Sequence, residues 1–224
     1  MNYFDEMWQW LTDPNHWVGP TGIWVRLAEH VGYTLIALAL AAVIAVPLGW
    51  GIGHTGRGRQ FVVATVGAAR ALPTLGLVTI FGLLMGVGLA APMAAFVILA
   101  IPSILAGAYA GVESVEPQTV DAATAMGMTG RQVLIGLEIP LGLPLLLGGL
   151  RSAALQVVST ATLAAYVGSG GLGRFLFLGL KTQDYAQMLA GALLVIVLAV
   201  FFEVVFAGLQ RVAVPRGVVA LVKE

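Results

Sequence analysis

The sequence predicts an all-α integral membrane protein with about five transmembrane helices and a folded helical loop on the cytoplasmic side. Three observations carry this. Hydrophobic residues fill 59% of the 224 positions and charged residues only 10%, at a mean hydropathy of +0.94. A water-soluble domain needs a far more charged surface. Apolar runs recur at about the 20 residues that a bilayer-crossing helix requires. A polar island at 121–140 stands between two of those runs.

The first thirty residues carry Asp5, Glu6, Asp13 and Glu29, which is not the basic-then-apolar pattern of a cleavable leader. Trp8, Trp10, Trp17 and Trp24 lie there too, and indole rings favour the headgroup layer. Residues 1–30 therefore read as an interfacial amino-terminal tail. The transmembrane region follows over 31–210, with expected spans at 33–52, 61–87, 92–111, 143–167 and 188–209. Residues 211–224 close the chain as a cytoplasmic tail.

Basic residues in short loops set orientation. With the amino terminus outside, Arg57, Arg59, Arg131, Arg211, Arg216 and Lys223 fall inside, and Arg26, Arg174 and Lys181 outside. The polar island then faces the cytoplasm.

The spans are not plain anchors. Pro47, Pro73 and Pro102 each remove an amide hydrogen bond, which suits either local adjustment or broken helices along a pathway. Small residues recur four apart at Gly49/Gly53, Gly82/Gly86 and Ser103/Gly107/Gly111, a spacing that lets helix backbones approach closely.

Within the island, Pro117 suits a first helical position and Gly127 a left-handed helix end. Thr129 and Gln132 form a capping-box pattern, Met128 and Val133 are spaced for a hydrophobic staple, and Pro140 is expected to stop the second helix. The loop (about 112–141 with its flanks) is thus a folded knob. Ala122, Ala123 and Gly127 offer a surface of little bulk for another protein, and Asp121 and Arg131 supply charges to fix its orientation. A hairpin packed only on its own spans is the alternative.

This segment resembles the cytoplasmic coupling loop of ABC importer permeases: Glu-Ala-Ala, three residues, Gly, nine residues, Ile, any residue, Leu-Pro. Here Asp121-Ala122-Ala123, Gly127, Leu137 and Ile139-Pro140 keep that spacing, with Asp, Leu and Ile as conservative departures. The resemblance implies a type I importer permease fold. It also implies a separate ATP-hydrolysing subunit dimer gripping Asp121, Ala122, Ala123, Gly127, Arg131 and Pro140. A second permease copy or related chain and an external binding protein would complete the assembly, in a bacterial or archaeal cytoplasmic (inner) membrane. No Gly-rich loop ending in Gly-Lys-Ser/Thr is present, so no cofactor is expected on this chain and ATP is left to the partner.

A second resemblance narrows the branch. The run 161–173, ending Gly168-Ser169-Gly170-Gly171-Leu172-Gly173, is similar to permeases for glycine betaine, choline and carnitine. So are Glu29-His30 leading to Pro47-Leu48-Gly49, Ala71-Leu72-Pro73-Thr74, and Gly148-Gly149-Leu150-Arg151. Methionine-type permeases share a related glycine-rich segment and supply the alternative substrate. Gly168, Gly170 and Gly173 also fit a dinucleotide fingerprint, but that motif needs a preceding strand in a βαβ unit. A turn into a short outer gate helix near 174–180 fits better, with Gly168, Gly170, Gly171 and Gly173 making the turn.

Pathway candidates are Pro73 and Thr74, with Gln156, Ser159, Thr160 and Thr162 in the fourth span. The hydroxyls can equally bond their own helix. Arg70 and Arg151 are costly in a span unless they face protein or water or snorkel, and Arg151 could equally pair with an acid of the island. Tyr109, Tyr166, Phe175 and Phe177 do not assemble into a cation cage by spacing alone. His16, His30 and His54 lack metal-ligand spacing, the net charge of zero gives no support for nucleic-acid binding, and there is no cysteine. An intramembrane lipid enzyme would need paired catalytic groups, and a secondary transporter would show half-sized inverted repeats. Neither pattern is evident.

Overall fold

The computed structural model describes residues 2–213; Arg216 and Lys223 of the orientation argument lie outside them, as does the side chain of Arg70. Among the described residues the chain is helical throughout, without strands. The helices are α1 (Tyr3–Thr12), α2 (Ile23–Thr55), α3 (Arg59–Ala71), α4 (Thr74–Met85), α5 (Ala90–Glu113), α6 (Pro117–Ala125), α7 (Gly130–Val133), α8 (Ile139–Thr160), α9 (Gly173–Thr182) and α10 (Tyr185–Ala213). A π-helical turn, Leu134–Glu138, joins α7 to α8, and a 3₁₀ segment, Ala161–Val167, continues α8.

Four of these segments are long and apolar enough to cross a membrane: α2, α5, the run Gly130–Val167 and α10. The expected span 61–87 is divided. Pro73 caps α4 with an extended backbone, so α3 ends before it. At 13 and 12 residues, α3 and α4 reach about 20 Å each, short of the roughly 30 Å of hydrocarbon. Pro47 and Pro102, by contrast, sit inside unbroken helices. Pro140 does not stop a helix either. The turn before it is widened, with the Ile139 N–H reaching back to the Leu134 carbonyl, and this leaves room for a proline ring that would otherwise strike the carbonyl four residues earlier.

The chain forms two compact units. The first comprises Met1–Ala39, Leu72–Ile98 and Ala154–Phe202; the second comprises Leu40–Ala71, Leu99–Ala153 and the chain from Glu203. In the first, Ile23, Val78, Phe96, Val157, Val158 and Leu172 are fully buried. The amino-terminal helix is packed onto this unit: Tyr3 meets Tyr185 edge-on at 5.6 Å, and Trp10 meets Phe175 at 5.3 Å. Trp8 and Trp24 stay exposed, as an interfacial role requires. Glu29 and His30, placed in the tail by the sequence reading, belong to the first turns of α2.

In the second unit the small residues do what their spacing predicts. A Cβ on Gly49 would stand 2.5 Å from Ala108 Cβ, and one on Gly53 2.7 Å from Val112 Cβ, so α2 lies directly on α5. A Cβ on Gly107 would stand 2.8 Å from Gly149 Cα, and one on Gly149 2.6 Å from the Ser103 carbonyl, which closes α5 onto α8. In the first unit the pair Gly82/Gly86 divides: Gly82 packs near Val167, whereas Gly86 caps the end of α4.

Candidate functional site

The polar knob lies in the second unit. Pro117 begins α6, and Ala123 is buried while Asp121 and Ala122 remain exposed. Gly127 adopts φ +91°; its N–H bonds the Thr124 carbonyl at 2.9 Å and the Met128 N–H bonds the Ala123 carbonyl at 3.2 Å. That is the paired closure of a left-handed helix end. A side chain at 127 would meet nothing of this chain within 4 Å, so its φ alone restricts it here. The Thr129 N–H and hydroxyl both donate to Gln132 Oε1, at 2.8 and 2.9 Å, closing the next turn. Exposed Asp121 and Arg131 make no ion pair among the described residues, and Met126 and Ile135 are exposed beside them.

The pairings around the knob have no signature in the sequence. Buried Glu138 accepts a 2.6 Å hydrogen bond from His54 Nδ1 at the end of α2. Arg59 of α3 pairs with Glu113 at the end of α5, 3.3 Å apart. Glu138 occupies the variable position of the loop pattern, and its only sequence signal is charge beside an apolar run. Arg151 pairs with no acid of the knob. Its guanidinium forks onto the Glu203 carboxylate, and Nη1 donates at 3.0 Å to Gln210 Oε1, whose own amide donates to the Pro144 carbonyl.

The glycine-rich loop lies in the first unit, between the 3₁₀ segment and α9. Glu29 Oε2 accepts the Gly171 N–H at 2.7 Å and Arg26 Nη1 at 2.9 Å. His30, fully buried, accepts the Leu172 N–H on Nδ1 at 3.2 Å and donates from Nε2 to the Val158 carbonyl at 2.9 Å. These partners fix a neutral imidazole with its proton on Nε2. The double glycine follows from them. A Cβ on Gly170 would run into the Glu29 carboxylate, and Gly171, at φ +85°, would place one 3.4 Å from His30 Nδ1. Arg174 closes the other side, donating to the carbonyls of Ser169 (2.7 Å) and Gly168 (2.8 Å). Gly173, pressed on the Thr162 carbonyl, opens α9.

The pathway candidates bond to their own helices. Ser159 donates to the Leu155 carbonyl (2.9 Å), Thr160 to Gln156 (2.8 Å) and Thr162 to Ser159 (2.8 Å). Pro73 and Thr74 stand at the start of α4. Of the four scattered aromatics, Tyr166 and Phe177 meet at 5.9 Å, Phe175 packs on Trp10, and Tyr109 is buried in the other unit.

Long apolar helices, backbones in glycine-mediated contact and a folded polar knob between spans define a multi-pass membrane protein. Residues 27–217 match the family described as the binding-protein-dependent transport system inner membrane component, and the chain belongs to that family. It is 32% identical to the glycine betaine/carnitine/choline transport system permease protein OpuCB of Bacillus subtilis, over 86% of this chain and 88% of that one. It is 31% identical to the carnitine transport permease protein OpuCB of Listeria monocytogenes (87% and 89% covered) and to the osmoprotectant import permease protein OsmW of Salmonella typhimurium (85% and 91%). Among solved structures, the inward-facing MetNI methionine ABC transporter matches at TM-score 0.74 and 21% identity, over 88% of this chain and all of that chain, which shows a shared fold.

Proposed function

We infer that this chain is the membrane permease subunit of an ATP-driven importer for glycine betaine, choline or related quaternary ammonium osmoprotectants. The observation that carries the substrate class is the set of relatives above, at 31–32% identity over most of both chains, two named for glycine betaine, carnitine or choline and one for osmoprotectants.

The knob is the surface on which a separate ATPase subunit acts. Exposed Asp121, Ala122 and Arg131, the open space over Gly127 and the exposed side chains of Met126 and Ile135 support that reading. Two permease chains share the pathway, an external binding protein delivers the solute, and the amino terminus lies outside an inner membrane, in keeping with the loop charges. Ser159, Thr160, Thr162, Gln156 and the Pro73-Thr74 break flank the pathway. The turn at Gly168–Gly173 and α9 form an outer gate held by Glu29 and His30. ATP is hydrolysed by the partner, and no cofactor binds here.

The chain has no cysteine, so single cysteines report position without a background. Cysteine at Ala122 or Met126 should crosslink to the ATPase subunit in the assembled transporter, and cysteine at Val18 should not. Failure of both knob positions to crosslink, in a transporter that hydrolyses ATP normally, would overturn the assignment of this surface.

A further inference from the structure

The first unit contains a cavity of about 310 Å³ between the amino-terminal segment and α9, lined by Trp10, His16, Arg26, Arg174, Phe175 and Gln187 among others. That is the lower end of the size range of small-molecule sites. Its polar lining is cationic. Among the described residues Arg26 pairs with Glu29 Oε2 alone, which is shared with the Gly171 N–H, and its side chain is only 15% exposed. Arg174 uses Nε and Nη2 on loop carbonyls, leaving Nη1. Among the described residues the Gln187 side chain makes no hydrogen bond, while its backbone N–H is held by Asp184. The charged side chains of the lining itself are Arg26 and Arg174, while Glu29, Asp184 and Asp13 bond to Arg26, Gln187 and Asn15 of that lining. The lining also carries aromatic rings. Trp10 meets Phe175 edge-on, and its ring is pinned by stacking on His16 at 4.2 Å.

We propose that this cavity is a binding site for a small zwitterion bearing a carboxylate and a quaternary ammonium group. The carboxylate is held by Arg26, Arg174 and Gln187, and the methylated ammonium lies against Trp10 and Phe175. A guanidinium binds a carboxylate by charge-assisted hydrogen bonds, and an aromatic ring attracts a cation that has no donors of its own. Arg174 holds the glycine-rich loop directly and Arg26 does so through Glu29, so an occupied cavity bears on that loop. The proposal rests on the substrate class inferred above and narrows it: choline, which has no carboxylate, is excluded from this site.

The test is calorimetric titration of the complete transporter in detergent, without its external binding protein, using glycine betaine, carnitine and choline. Saturable binding of the first two and none of choline is expected, weakened at least about tenfold by Arg26→Gln and by Gln187→Leu. The second variant breaks no loop bond, so its effect is not one of folding. Three results would overturn the site: no saturable binding of glycine betaine up to about 10 mM, choline binding equally well, or full affinity in both variants. Uptake assays address the substrate class separately. Betaine uptake with a silent titration removes the cavity alone, and uptake of an unrelated solute removes the class.

Discussion

Gly170 and Glu29 lie 141 positions apart and occupy the same space, which makes their coupling measurable. Gly170→Ala adds a methyl group directly against the Glu29 carboxylate. The carboxylate must then leave, and the Gly171 N–H loses its 2.7 Å charge-assisted bond. The cost is about 2 kcal/mol, the usual worth of a hydrogen bond to a charged group. Glu29→Ala removes the same bond from the other end at a similar cost of about 2 kcal/mol. For a chain of this size, each single change lowers the thermal midpoint by about 4–8 °C. The double variant removes one bond, not two, and clears the clash, so its midpoint should match Glu29→Ala alone. Unfolding of the detergent-purified transporter at one scan rate measures this, with a non-additivity of about 2 kcal/mol expected. Additive losses would refute the claim that the glycine exists to admit the carboxylate.

Three further outcomes follow from the same structure. Gly127→Val should cost only about 1–2 kcal/mol of stability, since its φ is positive and the surrounding space is open, yet it should abolish uptake; normal uptake at normal expression would deny the knob a partner. Glu138→Leu, which cuts the bond to His54, should lower solute moved per ATP hydrolysed about fivefold while the ATPase still copurifies, equivalent to about 1 kcal/mol of coupling. An unchanged ratio would make the contact purely structural. Arg151→Met should destabilise the chain by leaving Glu203 unpaired, and Arg151→Met with Glu203→Met should recover most of the loss in thermal midpoint; a double variant worse than the single would contradict the pairing.

The features legible in the sequence were those set by local rules. Gly127 ends its helix as a left-handed residue, Pro117 opens one, and Gly49, Gly53, Gly107 and Gly111 lie where their spacing puts helix backbones in contact. Long-range partners were not legible. Proximity in sequence points Arg151 to an acid of the knob, but its partner Glu203 lies 52 residues away, in a run whose hydropathy hides one carboxylate. Glu29 and His30 matched a family pattern, but their grip on a loop 142 residues downstream has no signature in spacing. The prolines show why local rules also misjudge. Pro73 ends a helix, Pro47 is absorbed by one, and Pro140 is accommodated by a widened turn; neighbours in space decide among these. At the pathway candidates, the hydroxyls of Ser159, Thr160 and Thr162 satisfy themselves on their own helices, so their residue type alone said little about solute contact.

Solute uptake at high osmolarity, in source cells with and without this gene, tests the central claim most directly. Labelled glycine betaine, choline and methionine are compared in parallel. Loss of betaine or choline uptake with methionine uptake intact, restored by the intact gene and not by Gly127→Val, is the expected result. Selective loss of methionine uptake would contradict the osmoprotectant assignment. Restoration by Gly127→Val would contradict coupling through the knob.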